Sequence, residues 1–229
     1  VIATNPFFPR QAIEHRLRWA GLPPEKYPFA LISSNETFHF TKPNPDYFTE
    51  VLAQLGWPVD PAVMIGNDVE SDILPAQRLG LPTFWLVNGE AGLPEGFQPF
   101  AQGKLEDIRP WLEKVDPKSL EASLTTPLAL LAVLQSTPAA LASLMQPVPA
   151  GRWTRSPRPG EWCLTEIICH LRDVEREVNT PRLQKVLGEA NPFISGQVTD
   201  PWAEERGYIR QDGPAALLDF MSARMQTLS

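Results

Sequence analysis

The chain has 229 residues, of which 43% are hydrophobic and 21% charged, and its formal net charge is −7. This composition is typical of a folded globular protein, and the acidic charge disfavours a nucleic-acid partner. Cys163 and Cys169 are too few for a disulfide framework and form no CxxC pair, so we expect a reducing, cytoplasmic compartment. No uninterrupted apolar run reaches the roughly 18 residues of a membrane span, so no membrane partner is expected.

The sequence begins and ends within predicted secondary-structure elements. Val1-Ile2-Ala3 is strand-like from its first residue, and the helical pattern of residues 215–228 stops at Ser229 without a cap. We therefore expect this chain to be an internal piece of a longer protein.

The front half of the sequence alternates strands with helices of about ten residues. The predicted strands are 1–4, 29–33, 62–66 and 83–87, and the predicted helices are 11–20, 44–55 and 69–79. Asn44 and Pro45 supply a cap and a first helical residue, and glycines follow the helix ends. A Gly/Pro-rich loop over 89–100 and a short helix within 104–113 follow. This alternation predicts an α/β fold with a parallel sheet, where chemistry collects beyond the carboxyl ends of the strands.

Polar residues follow these predicted strands or precede a helix at the same edge of the sheet. Thr4 and Asn5 follow the first strand, Lys42 precedes the second helix, and Asp68 and Asp72 begin the third. The two carboxylates share a helix face and repel each other unless a cation joins them, and hard oxygen ligands suit Mg²⁺. A hydroxyl, a lysine and Mg²⁺ together offset the charge that develops on a transferring phosphoryl group.

Each of these residues also has an ordinary structural interpretation. Thr4 alone is typical of a strand end, Lys42 of a solvated surface, and the acidic turn of a helix start that compensates the helix dipole. The order of threonine, lysine and acidic pair on the strand ends of one α/β unit favours the phosphate-and-metal interpretation.

Three motifs carry a resemblance to haloacid dehalogenase (HAD) superfamily hydrolases over residues 1–112. VIATN is similar to the second motif of that family, TKPNPDYF to the third and IGNDVESD to the fourth. The resemblance implies a Rossmann-like sheet and an Mg²⁺-dependent phosphatase-type reaction on a small phosphorylated metabolite. It also implies that Thr4, Asn5 and Lys42 bind phosphate, Thr4 and Lys42 being catalytic, and that Asp68 and Asp72 serve the Mg²⁺ site.

The first motif of the HAD family, DxDx[TV], is missing from residues 1–229. In that family it supplies the aspartate nucleophile of an aspartyl-phosphate intermediate and the acid/base aspartate. The resemblance therefore implies an incomplete site, and we expect no turnover from this chain alone.

The back half of the sequence is helical. Residues 114–122 resemble a linker, and helices are predicted over 127–145 with a kink near Pro138, over 164–186, and from 214 onward. Long connections that contain Trp153 and Trp202 separate them. This pattern predicts an incomplete four-helix bundle.

His170 lies at the edge of the apolar stripe of the 164–186 helix, where a boundary residue or a metal ligand could stand. Cys163, two turns earlier, could share a metal with it or cap the helix together with Glu166. The stretch RSPRPGEWCLTEIICHLRDVEREVNTPRL resembles the DinB superfamily. That resemblance implies that His170 is one of three histidine ligands of a divalent metal such as Zn²⁺ or Ni²⁺, the others lying after Ser229.

The two resemblances define the expected domains, namely a HAD-like portion over 1–113, a linker over 114–122 and a DinB-like portion over 123–229. The first functional hypothesis is a phosphohydrolase fused to a metal-binding bundle. The second is a non-catalytic HAD scaffold whose bundle is a metal-dependent thiol-transferase or binding domain. A structural or interaction protein is the third, and oligomeric state stays open.

Overall fold

The computed structural model describes residues 1–87 and 96–229, which divide into two compact units, Val1–Ala140 and Leu141–Ser229. Most of the predicted loop over 89–100 lies outside the described residues. The division falls inside a helix, beyond the predicted linker at 114–122. The predicted domain boundaries stay a prediction, since a division by contacts does not identify families.

A small parallel sheet lies in the first unit, as the strand and helix alternation predicted. Among the described residues its strands are β1 (Met64–Gly66), β2 (Thr83–Leu86) and β3 (Ala101–Gly103), in that order, with Met64 opposite Thr83 and Phe84 opposite Ala101. β3 is not among the predicted strands, because Ala-Gln-Gly has no apolar run that would mark a strand.

The first two predicted strands are reduced to a single parallel bridge between Ile2 and Ile32. Two backbone hydrogen bonds hold it: the Ile2 amide donates to the Leu31 carbonyl at 2.8 Å, and the Ser33 amide donates to the Ile2 carbonyl at 3.0 Å. The bridge still places Thr4 and Ser33 next to each other.

The helices of the first unit begin and end close to the predicted positions. They are α1 (Arg10–Trp19), α2 (Pro45–Gln54), α3 (Leu74–Leu79) and α4 (Ile108–Leu112). Asn44 caps α2 by accepting from the Asp46 amide at 2.9 Å. Gly80 ends α3 at φ 91°, a left-handed conformation that favours glycine.

The helix predicted over 69–79 begins with a π-helical turn, Val69–Ile73, that precedes α3. In this wide turn the Ile73 amide donates to the Asp68 carbonyl at 3.2 Å, five residues back. Such turns occur often at functional sites. The turn brings Asp68 and Asp72 to the carboxyl end of β1.

A fifth helix, α5 (Pro127–Met145), contains Pro138 and begins in the first unit. Its 19 residues have a mean hydropathy of 1.7, so by length and composition it could cross a membrane. Its glutamine, serine and threonine residues interrupt the apolar run, and the expectation of no membrane partner stays a prediction. A core helix meets the same criterion, and Ala129 and Ala132 pack in the apolar core with α2 and α3.

The second unit is helical, with a continuous path through α6 (Leu164–Val174), a π-helical turn (Glu175–Asn179) and α7 (Thr180–Gly188). The short α8 (Trp202–Glu205) and the long α9 (Gly213–Leu228) follow, and α6 packs on α9. The buried core of this unit includes Trp153, Ile168, Trp202, Tyr208 and Phe220. Helices are thus found where they were predicted, but a DinB-like bundle is not shown.

Candidate active site

Lys42 and Asp72 form a buried ion pair at the edge of the sheet. Lys42 Nζ donates to Asp72 Oδ1 at 2.5 Å and to the Ala3 carbonyl at 3.0 Å. The two side chains are only 9% and 10% exposed. A charge that is withdrawn from water needs a partner, so the pair fixes the position of both side chains.

Asn5 joins this cluster through the backbone of Lys42. Its Oδ1 accepts a hydrogen bond from the Lys42 amide at 2.7 Å. The segment after the first strand is thereby attached to the segment before α2. The structure thus brings Asn5, Lys42 and Asp72 together, although they come from three separate parts of the sequence.

Thr4 is held beside them by its own backbone. The Thr4 amide donates to Ser33 Oγ at 3.0 Å, and the Thr4 carbonyl accepts from Ser33 Oγ at 2.6 Å and from the Tyr47 hydroxyl at 2.9 Å. Burial raises the pKa of Tyr47 well above its ordinary value, and the charge of Asp72 adds to this. The Tyr47 hydroxyl therefore stays protonated and remains a donor. Within residues 1–87 and 96–229, the Thr4 side-chain hydroxyl makes no hydrogen bond to the protein and is available to a ligand.

Asp68 and Asp72 differ in exposure and in role. Asp68 is exposed and caps the π-helical turn, with its Oδ1 accepting from the Ser71 amide at 2.8 Å. Asp72 is buried and lies against Gly66, where an added Cβ would stand 2.5 Å from the Cβ of Asp72. Glycine is therefore required at the end of β1 for Asp72 to reach Lys42.

The carboxylate oxygens of Asp68 and Asp72 can supply some of the ligands of a Mg²⁺ ion. Asp68 keeps one carboxylate oxygen that accepts no hydrogen bond from the described residues, and both residues offer hard oxygens. Across the described part of the chain no group of three or more His, Cys, Asp or Glu could hold a metal. Mg²⁺ commonly uses one or two carboxylates and keeps several waters, so this set still fits it.

Sequence reasoning did not assign Ser33, Tyr47 or Trp85 to the site. The Trp85 indole donates to the Asn67 carbonyl at 3.2 Å and so holds the turn before Asp68. Ser33 stands at a predicted strand end, which is a usable signal. The sequence pattern predicts Tyr47 and Trp85 to be apolar core residues, because aromatic residues in a helix or strand are usually buried.

An apolar groove of about 620 Å³ lies beside the cluster, within the first unit. Its lining includes Val1–Thr4, Asp60–Ile65 and, from α2, Phe48 and Leu52. Met64 and Ile65 of β1 belong to this lining.

His170 lies in the second unit and far along the sequence from this cluster. Its ring makes edge contacts with Trp162 and Trp202, at centroid distances of 4.9 and 6.4 Å. Its Nδ1 is buried and has no hydrogen-bond partner among the described residues, and burial lowers the pKa of His170. Cys163 instead caps α6, where its amide donates to Glu166 Oε2 at 2.9 Å, which is the capping interpretation of the sequence.

Comparison with known proteins bears on the first unit. A family model described as HAD-hydrolase-like matches residues 39–101. Pyrimidine 5′-nucleotidase YjjG of Escherichia coli (strain K12) is 38% identical over 99 residues, which are 43% of this chain and 42% of that protein. The match thus spans less than half the length of this curated relative, and no solved structure matches the chain significantly. None of these comparisons supports the DinB-like resemblance. Residues 39–101 are thus similar to a HAD-like hydrolase domain.

Proposed function

We propose that the first unit is the phosphate- and metal-binding part of a Mg²⁺-dependent phosphohydrolase that acts on a small phosphorylated metabolite. The cluster of Thr4, Asn5, Lys42 and Asp72 is the observation that carries this proposal. It combines a hydroxyl, an ammonium and a carboxylate near the carboxyl end of β1 and the Ile2 bridge, together with an exposed second carboxylate, Asp68. This combination neutralises a phosphoryl group and orients it.

Each residue of this cluster has a separate proposed role. The Thr4 hydroxyl and the Lys42 ammonium bind the phosphoryl oxygens, while the Asn5 side chain holds the Lys42 backbone in place. Asp68 and Asp72 would hold Mg²⁺, with Asp72 also fixing the ammonium of Lys42. Bound Mg²⁺ would offset negative charge on the phosphoryl oxygens.

The nucleophile is the part that this chain does not supply. The sequence has no DxDx[TV] motif. The apolar groove is lined by Val1–Thr4 and by Met64 and Ile65 of β1, a strand that pairs only with β2 among the described residues. We infer that a strand that carries the nucleophile occupies this groove in the intact protein. The 229-residue chain then binds phosphate without turning over a phosphate ester.

The substrate class follows from the relative. YjjG is named as a pyrimidine 5′-nucleotidase, so a pyrimidine nucleoside 5′-monophosphate is the first candidate for this protein. The DinB-like bundle, its metal site at His170 and the alternative of a thiol-transferase stay predictions.

Titration calorimetry with Mg²⁺ present tests the proposal on this chain. Uridine 5′-monophosphate and inorganic phosphate should bind and compete with each other, and a colorimetric assay should detect no phosphate release. If neither ligand binds to the folded chain, or if the chain hydrolyses the nucleotide at a rate that Asp68→Asn abolishes, the proposal of a nucleophile-free half-site is wrong.

A further inference from the structure

Glu50 is a completely buried carboxylate on α2, with 0% of its surface exposed. Burying an ionised carboxylate is costly unless several donors satisfy its oxygens. In the described part of the chain, Glu50 accepts hydrogen bonds from His39 and Phe40, which precede Lys42 by three and two residues.

The contacts of Glu50 are directed at the backbone of that segment. The His39 amide donates to Glu50 Oε2 at 3.0 Å, and the Phe40 amide donates to the same oxygen at 3.2 Å. His39 Nδ1 lies 2.8 Å from Glu50 Oε1. The hydrogen bond with Glu50 raises the pKa of His39, so the imidazole supplies a larger share of positive charge near neutral pH.

The segment that leads to Lys42 is thus held at two points. Glu50 holds residues 39 and 40, and Asn5 holds the amide of Lys42. The lysine side chain leaves this fixed backbone and reaches the buried carboxylate of Asp72. Loosening either point would let Lys42 move away from Asp72.

We propose that Glu50 is a positioning residue for Lys42: its carboxylate fixes the backbone of His39 and Phe40 so that the ammonium stays at the proposed phosphate site. The inference deepens the proposed function, because it takes Lys42 as a phosphate-binding residue. The contacts themselves do not depend on catalysis, so the proposal can be tested without turnover.

The test measures how fast acetic anhydride modifies Lys42 in the folded 229-residue chain, by peptide mass spectrometry. Exposed Lys114 serves as the internal reference. We expect Glu50→Gln to raise the ratio of Lys42 to Lys114 modification by roughly tenfold, since local opening becomes easier when charge-assisted hydrogen bonds are weakened. Glu50→Ala should raise it further, since the amide of glutamine retains one acceptor oxygen.

Glu36→Gln is the matched control. Glu36 also accepts from a backbone amide, that of Arg10 at 3.0 Å, but it is exposed and holds the start of α1. This variant should leave the ratio unchanged. His39→Ala removes only the partly exposed imidazole, so it should raise the ratio of Lys42 to Lys114 modification less than Glu50→Ala does. This variant replaces the Glu50 variants in the test if they do not fold.

The outcomes separate the positioning role from general stability and from the proposed function. An unchanged Lys42 ratio in folded Glu50 or His39 variants would overturn the inference, as would an equal rise at every lysine. Failure of wild-type protein to bind phosphate would contradict the proposed function alone, because Lys42 protection would still depend on Glu50.

Discussion

Lys42 and Asp72 are separated by 30 positions in the sequence, yet their charged atoms lie 2.5 Å apart in a nearly buried ion pair. This pair connects the segment before α2 with the π-helical turn after β1. Neither residue can change without affecting the other, which has consequences for both stability and ligand binding.

Replacing Lys42 by methionine should lower the free energy of unfolding by about 3 kcal/mol, because it leaves the buried Asp72 carboxylate without its partner. Urea denaturation measures this change. The double variant Lys42→Met, Asp72→Asn should lose less than the sum of the two single losses. Arg109→Met is the control, since its ion pair with Glu113 is exposed and should contribute little. Additive losses in the double variant would show that the pair does not couple.

Gly66→Ala should destabilise the first unit by about 1–3 kcal/mol, because the added methyl group overlaps the Asp72 side chain. The same variant should weaken phosphate binding, since Asp72 and Lys42 must shift together. Thermal unfolding and calorimetry check the two effects.

Gly151→Ala is the control for that variant, because nothing lies within 4 Å of a Cβ at Gly151. If the two alanine variants unfold at the same temperature, the close approach between Gly66 and Asp72 is not as described.

The second unit should lose stability in acid through Glu175. Burial by itself raises the pKa of this carboxyl, but hydrogen bonds from Arg224 and Asn179 outweigh it, and the pKa lies below the ordinary 4.5. A carboxyl with a lowered pKa in the folded state stabilises the protein above about pH 4.5, and this contribution is lost as the pH falls from there through the folded pKa.

Glu175→Gln should therefore flatten the decline in unfolding free energy below pH 4.5, besides lowering stability at neutral pH. Chemical denaturation at a series of pH values measures the slope. Exposed Glu189 offers a control, and Glu189→Gln should leave the slope as in the wild type. An unchanged slope in the Glu175 variant would contradict the assignment.

The sequence could predict the α/β character and the chain order of the candidate site residues. Local signals were strong there: Asn44-Pro45 begins a helix, and Lys42, Asp68 and Asp72 stand in recognisable motifs. In a parallel sheet the carboxyl ends of the strands lie at one edge, so polar groups that follow the strands are expected to lie close together.

The sequence could not predict features that depend on tertiary contacts. Tyr47 and Glu50 act on the backbones of Thr4 and His39, and nothing in their local pattern distinguishes them from ordinary helix residues. The start of α5 was assigned to the back half by composition, yet Thr49 donates to the Ala132 carbonyl at 3.1 Å within the first unit. A leucine- and alanine-rich segment does not show by itself which core it will join.

The most direct test of the central claim is calorimetric titration of inorganic phosphate into the 229-residue chain at several Mg²⁺ concentrations. We expect binding that strengthens with Mg²⁺, is weakened roughly tenfold or more by Lys42→Gln or Asp68→Asn, and is unchanged by the exposed-lysine control Lys114→Gln. Phosphate affinity that is the same in all four folded proteins and indifferent to Mg²⁺ would contradict the claim that these residues form a phosphate and metal site.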